Sequence, residues 1–143
     1  MTHKIKQNRY ASWLVIAGLF WSPSALAREP PSGPQFFCEN ARATYDILDC
    51  LKAELKKADE KLRTINRQLD NALSKAEQDK LHKANASWLR YLEDNCDSES
   101  FIYDGGTLEG VVYLYCKLDL TLKRTERLRE AYRHPLRDAG IIK

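Results

Sequence analysis

LKAELKKADEKLRTINRQLDNA, residues 51–72, decides the fold. Leu51, Leu55, Ala58, Leu62, Ile65, Leu69 and Ala72 recur at alternating spacings of four and three, and Lys, Glu, Asp, Arg and Gln fill the positions between. Side chains so spaced stack on one face of an α-helix, so the stretch predicts a long amphipathic helix with a narrow apolar seam. Asp49 is the cap candidate at its start. A helix of about 23 residues is roughly 35 Å long, and a seam of that length needs other helices to cover it.

The chain beyond residue 72 supplies them. Ser74-Lys75-Ala76-Glu77 carries the Ser-to-Glu spacing of a capping box and opens a second helix. Leu81, Ala84, Trp88, Tyr91 or Leu92, and Asn95 mark its inner face. The connection around Asn71–Ser74 is short, which predicts an antiparallel hairpin. Gly105-Gly106-Thr107 reads as a turn with a cap candidate, opening a third helix with Leu108, Val111, Tyr115, Leu118, Leu122, Thr125 and Arg129 on one seam. His134-Pro135 is expected to end it, because the residue before a proline is pushed out of the helical region. No alternating strand pattern competes. The fold class is all-α: an antiparallel three-helix bundle, a hairpin plus a third helix, over residues 38–134, with 135–143 as a C-terminal tail.

Before this domain, Lys4, Lys6 and Arg9 precede an apolar run over 11–21, then Ser22-Pro23-Ser24 and Ala25-Leu26-Ala27. That order predicts a cleaved export signal over 1–27. The run is shorter than the roughly 20 residues a bilayer requires, and no cysteine follows it to carry a lipid, so no stable membrane anchor is expected after cleavage. Three prolines between Arg28 and Gln35 predict an irregular leader over 28–37. The signal holds three bases and no acid, so 23 bases and 20 acids become 20 and 20 from Arg28 onward. A balanced exported chain gives no global argument for nucleic acid as a partner.

Cys38, Cys50, Cys96 and Cys116 all follow the signal, and an even number there predicts two disulfides in an oxidising compartment. Their separations of 12, 46 and 20 positions lack the close ligand pair of a structural zinc site; no metal or other cofactor is expected. Three connectivities are open. The helical layout gathers the four near one end of the bundle. There Cys96–Cys116 would staple the second loop and Cys38–Cys50 the N-terminal segment. Twelve residues of unbroken helix would part the latter pair by roughly 18 Å, so that bond requires a break in the chain near Thr44–Asp49.

Several blocks also resemble the lysozyme inhibitor LprI-like family of bacterial envelope proteins. They are the cysteine pair before a helix, Ala58-Asp59 with Leu62, Trp88 with Tyr91 and Cys96, Gly105-Gly106-Thr107, and Cys116 with Thr121, Arg124 and Leu128. Arg63, Asn85 and Leu92-Glu93 depart from the family's usual residues, as in a divergent member. The resemblance implies a periplasmic or secreted location and a protein partner, lysozyme or another cell-wall hydrolase. It gives Asp59, Trp88, Tyr91, Gly105, Gly106, Thr121 and Arg124 structural roles. Asp59 and Arg124 are expected to make a polar contact between helices.

From Tyr91 to Cys116 the chain has six acids, Glu93, Asp94, Asp97, Glu99, Asp104 and Glu109, and no Lys or Arg. Glu93 and Asp94, read as the last turn of the second helix, sit where the helix dipole disfavours anions. A local rule broken without visible compensation marks a candidate site; the plainer reading is a solvated loop. An acidic loop from Asp97 to Thr107 would attract and orient a cationic partner. Asp97, Glu99, Phe101, Tyr103 and Asp104 are the candidate contacts. For Phe101-Ile102-Tyr103, packing onto the bundle end is the favoured expectation, and interface anchoring the alternative. Catalysis is not expected, because neither a nucleophile motif nor a phosphate-binding loop is present. An inhibitor-type binding protein is therefore the first functional reading, with an immunity or scaffold protein, or a structural envelope component, as alternatives.

Overall fold

The computed structural model describes residues 37–143. The signal expected over 1–27, and all of the leader but Phe37, lie outside them. Four helices follow in order: α1 (Thr44–Ala72), α2 (Lys75–Ser100), α3 (Glu109–Ala131) and a short α4 (Arg133–Asp138), with one 3-10 turn at Phe101–Tyr103. No strand occurs among the described residues.

α1 starts earlier than the apolar seam suggests. The chain turns over residues 39–43, and the Asp46 carboxylate accepts hydrogen bonds from the Arg42 (3.3 Å) and Ala43 (3.1 Å) amides. Asp46, not Asp49, therefore satisfies the orphan donors at this start; Asp49 pairs with Lys52 one turn further in. This turn is also the break that the first disulfide requires. It lies before Thr44, not between Thr44 and Asp49, and it brings the Cys38 and Cys50 Cα atoms to 6.0 Å. Cys96 and Cys116 form the second disulfide, with Cα atoms 5.6 Å apart.

α1 and α3 run parallel, since Leu48 lies against Gly110 at one end and Ile65 clusters with Leu128 at the other. α2 runs back between them in sequence, but it packs on α3; direct approach of α1 to α2 is slight, so the hairpin is one of connection and not of packing. The corner is sealed locally. The Glu77 carboxylate accepts from the Ser74 amide (2.9 Å) and hydroxyl (2.6 Å), and the Gln78 side-chain amide donates to the Asp70 and Leu73 carbonyls left open at the end of α1.

The core is three apolar clusters. Ile65, Leu69, Leu73, Leu81, Leu128 and Leu136 fill the corner end. Leu51, Ala58, Val111 and Leu118 line the α1–α3 contact towards the disulfides. Leu92, Cys96 and Cys116, with Trp88, Tyr113 and Leu120 against them, join α2 to α3. Tyr91 departs from its expected inward place: it is 53 % exposed, and Leu92 occupies the core position. Ala84 is also exposed.

Two boundaries move. α3 begins at Glu109, with Leu108 and not Thr107 at the cap position. Pro135 does not end the helical structure either. α3 stops at Ala131, and Pro135 falls in the first turn of α4, where its missing N–H has no helical partner to lose. Residues 135–143 are accordingly no loose tail. Leu136 is fully buried, Gly140 turns with φ +69°, the Ile141 amide donates to the Leu136 carbonyl (2.9 Å), and Ile141 and Ile142 pack on the corner cluster.

Candidate functional site

Two places carry unusual chemistry: the tip where α2 passes into α3, and a polar waist halfway along the bundle.

At the tip, α2 does not end at Cys96 but runs one turn further, to Ser100. Asp97 and Glu99 are therefore helical, and only Asp104 of the three acids lies in the loop proper. The Ser100 hydroxyl, buried, donates to the Asp97 carbonyl (3.1 Å), and the Asp104 amide donates to the Phe101 carbonyl (3.1 Å), which tightens the chain into the 3-10 turn. Gly105 takes φ +71°, a conformation glycine adopts without strain. The Gly106 amide donates to the Tyr103 carbonyl (2.8 Å), and a Cβ on Gly106 would stand only 3.0 Å from that oxygen. Both glycines are thus dictated by the turn. The Glu109 carboxylate reaches back to the Gly105 amide (3.3 Å).

This turn thrusts its apolar side chains outward. Phe101 is 71 % exposed, Ile102 80 % and Tyr103 43 %. The favoured expectation of packing onto the bundle end is overturned. The disulfide end is already filled by Leu51, Val111 and the Phe37–Tyr115 ring pair (centroids 6.1 Å apart), so the triplet has no inward place to take.

The acids divide into two kinds. Glu93 is not in the last turn and is compensated: one oxygen accepts from Lys117 Nζ (2.7 Å), the other from the Tyr113 hydroxyl (2.7 Å). Lys117 first, then Tyr113, hold the Glu93 carboxyl below its usual range. The same bond to Glu93 raises the Tyr113 hydroxyl. For Lys117 burial works downward, and the bonds to Glu93 and Tyr113 outweigh it. Among the described residues, by contrast, Asp94, Asp97, Glu99 and Asp104 enter no ion pair. Glu99 accepts from the Asn95 amide (2.7 Å). The last turn of α2 holds no base, so the conflict with the helix dipole is real but falls on Asp97 and Glu99.

At the waist, Arg124 of α3 donates through Nη2 to Asn85 Oδ1 (2.8 Å), Asn85 Nδ2 donates to Asn66 Oδ1 (2.7 Å), and Asn66 Nδ2 donates to the Leu62 carbonyl (2.9 Å). The guanidinium also lies 5.8 Å from the centroid of the Trp88 ring, a cation–π contact. Burial lowers the Arg124 pKa, and its Nε finds no partner among the described residues. The expected Asp59–Arg124 contact is replaced by this relay; Asp59 lines a neighbouring cleft instead. Thr121 is fully buried beside the relay's helix turn, its carbonyl accepting from Thr125 Oγ1 (2.9 Å). Sequence reasoning missed Asn66 altogether. The only signal was an amide adjoining the apolar seam of α1, opposite another in α2.

These features define a small disulfide-stapled all-α domain whose distinctive surface is a tip of acids without an ion pair among the described residues, around exposed Phe101, Ile102 and Tyr103. Residues 38–128 match the family model described as Lysozyme inhibitor LprI, and the chain belongs to that family. It is also similar to an uncharacterized protein of Rhizobium meliloti (strain 1021), 26 % identical over 110 residues, covering 68 % of this chain and 79 % of the relative. No solved structure matches. No helix among the described residues is long and apolar enough to cross a membrane.

Proposed function

We propose that the protein is an exported inhibitor that blocks a cationic cell-wall hydrolase of the lysozyme type, and that the tip makes the contact. The observation that carries this reading is the solvent-facing Phe101-Ile102-Tyr103 turn standing among Asp97, Glu99 and Asp104. Unpaired acids raise the encounter rate with a basic enzyme and fix its orientation. Large apolar side chains at the centre of such a field supply the buried contact that keeps the complex together. Cys96–Cys116 fixes the stem of the turn, so little ordering entropy is lost on binding.

The test is muramidase activity with and without the protein. Reversal of Asp97, Glu99 and Asp104 to Lys is expected to abolish inhibition, chiefly by slowing association and removing its salt dependence. Phe101→Ala with Ile102→Ala is expected to speed dissociation with little change in the association rate. Inhibition that survives both changes removes the tip from the mechanism.

A further inference from the structure

The slight contact between α1 and α2 leaves a cleft of about 290 Å³ between them, lined by Asp59, Arg63, Asn66, Asn85, Trp88 and Leu89, among others. Its two amides, Asn66 and Asn85, are not free to rotate. Arg124 has only donors, so it forces Asn85 to turn its oxygen inward. The Asn85 nitrogen must then face Asn66, and the Leu62 carbonyl fixes Asn66 with its nitrogen turned away. Each amide keeps one N–H and one lone pair unspent; the adjoining two are the second N–H on Asn85 and the second lone pair on the Asn66 oxygen. The relay thus presents a donor and an acceptor side by side, within 2.7 Å of each other, in a cleft walled otherwise by the indole and leucines, with Asp59 and Arg63 also in its lining.

A neighbouring donor and acceptor match an amide group, which carries a C=O and an N–H. The apolar indole offers a platform for the C–H face of a ring. The volume stands at the small end of the about 300–1,000 Å³ typical of ligand pockets, enough for one or two rings. We propose that this cleft binds an N-acetylated amino sugar, with the acetamido group on the Asn66–Asn85 pair and a pyranose ring against Trp88. Arg124 is a positioning residue that locks the amides. The site is separate from the tip and does not depend on the inhibitor reading.

The chain from Arg28 onward carries every described residue and a single tryptophan, Trp88, since the others are Trp13 and Trp21. Its fluorescence and indole N–H resonance therefore report on the cleft alone. Titration with N,N′-diacetylchitobiose is expected to shift both, together with the Asn66 and Asn85 side-chain amide resonances, with a Kd in the millimolar range. Cellobiose, of like size but without acetamido groups, is expected to bind about tenfold more weakly or worse, because it leaves the half-buried pair unmatched. Asn85→Asp keeps an acceptor for Arg124 and deletes the donor, and Asn66 can turn its own nitrogen to the new carboxylate; the variant is expected to lose the chitobiose response while its thermal unfolding is retained. No shift at the three side chains, equal response to cellobiose, or an unaffected Asn85→Asp protein would overturn the proposal. So would tighter binding of N-acetyl-alanyl-alanine amide at the same resonances, which would make the occupant a peptide.

Discussion

The two ends of this bundle are held together by different means. The corner end is sealed by apolar packing: Leu69 and Leu136 are fully buried, Ile65, Leu81 and Leu128 nearly so, and Ile141 and Ile142 fold back over them. The tip combines two disulfides with a core that includes Leu51, Val111 and the Phe37–Tyr115 pair, while Phe101, Ile102 and Tyr103 face solvent. A thin three-helix rod buries too little at its ends to order both by the hydrophobic effect alone. Covalent bonds at the tip therefore release Phe101, Ile102 and Tyr103 from core duty. An end held by sulfur has a surface free to change; an end held by leucines does not.

The sharpest way to break this contrast is to attack the corner. Leu69→Ala is expected to cost about 3–4 kcal/mol, a transfer loss plus an unfilled cavity, read as a lower denaturation midpoint with the disulfides intact. If it costs less than about 1 kcal/mol, packing does not hold that end.

Next in size is the tip. Cys96→Ser with Cys116→Ser opens a 20-residue loop and is expected to cost about 3 kcal/mol in the chain-entropy model. The local pattern is the more telling readout. Hydrogen exchange should lose protection over the end of α2 and the start of α3 and keep it around Ile65, Leu69 and Leu81. Uniform loss along the whole molecule would show that the two ends are one cooperative unit.

The same contrast explains what the sequence disclosed. The corner was legible because its forces are periodic. The seam of α1 and the Ser74–Glu77 cap appear as written, and the reversal of direction between α1 and α2 follows from them; the short α4 does not. The tip was read less well, because its structure rests on individual bonds. α2 runs one turn past Cys96, where the Ser100 hydroxyl bonds the Asp97 carbonyl, and that carries Asp97 and Glu99 into a helix and Phe101, Ile102 and Tyr103 into solvent. Tyr91 and Leu92 are adjacent, and one position of rotation decides which is buried; periodicity alone left both open. Pro135 misled because a proline that ends one helix also suits the first turn of the next. The waist relay was hidden because Asn66, Asn85 and Arg124 meet only in three dimensions.

A smaller effect tests the corner's local seal. Ser74→Ala removes the hydroxyl that donates to Glu77 at 2.6 Å and is expected to cost about 1 kcal/mol, seen as a modest fall in thermal midpoint. No change would mean that Gln78, bonded to the Asp70 and Leu73 carbonyls, suffices to fix the turn.

The smallest expected effect belongs to Glu93, the acid near the tip that is ion-paired, to Lys117. Glu93 has its pKa lowered by Lys117 and Tyr113 from an ordinary 4.5. A depressed carboxylate stabilises the fold fully above its unfolded value, and that contribution is lost as the pH falls through the folded one. Glu93→Gln is therefore expected to be less stable than the parent at neutral pH, and the gap should close as the pH drops below 4.5. The Glu93 side chain is about half exposed, so screening keeps the difference under about 1 kcal/mol. Added salt should shrink it further. The same substitution should leave inhibition of a basic hydrolase intact, because this charge is already neutralised by Lys117, whereas neutralising Asp97 should not. Equal losses of inhibition from the two would mean that the partner reads the total charge of the tip, and that the division between bound and unpaired acids has no functional weight.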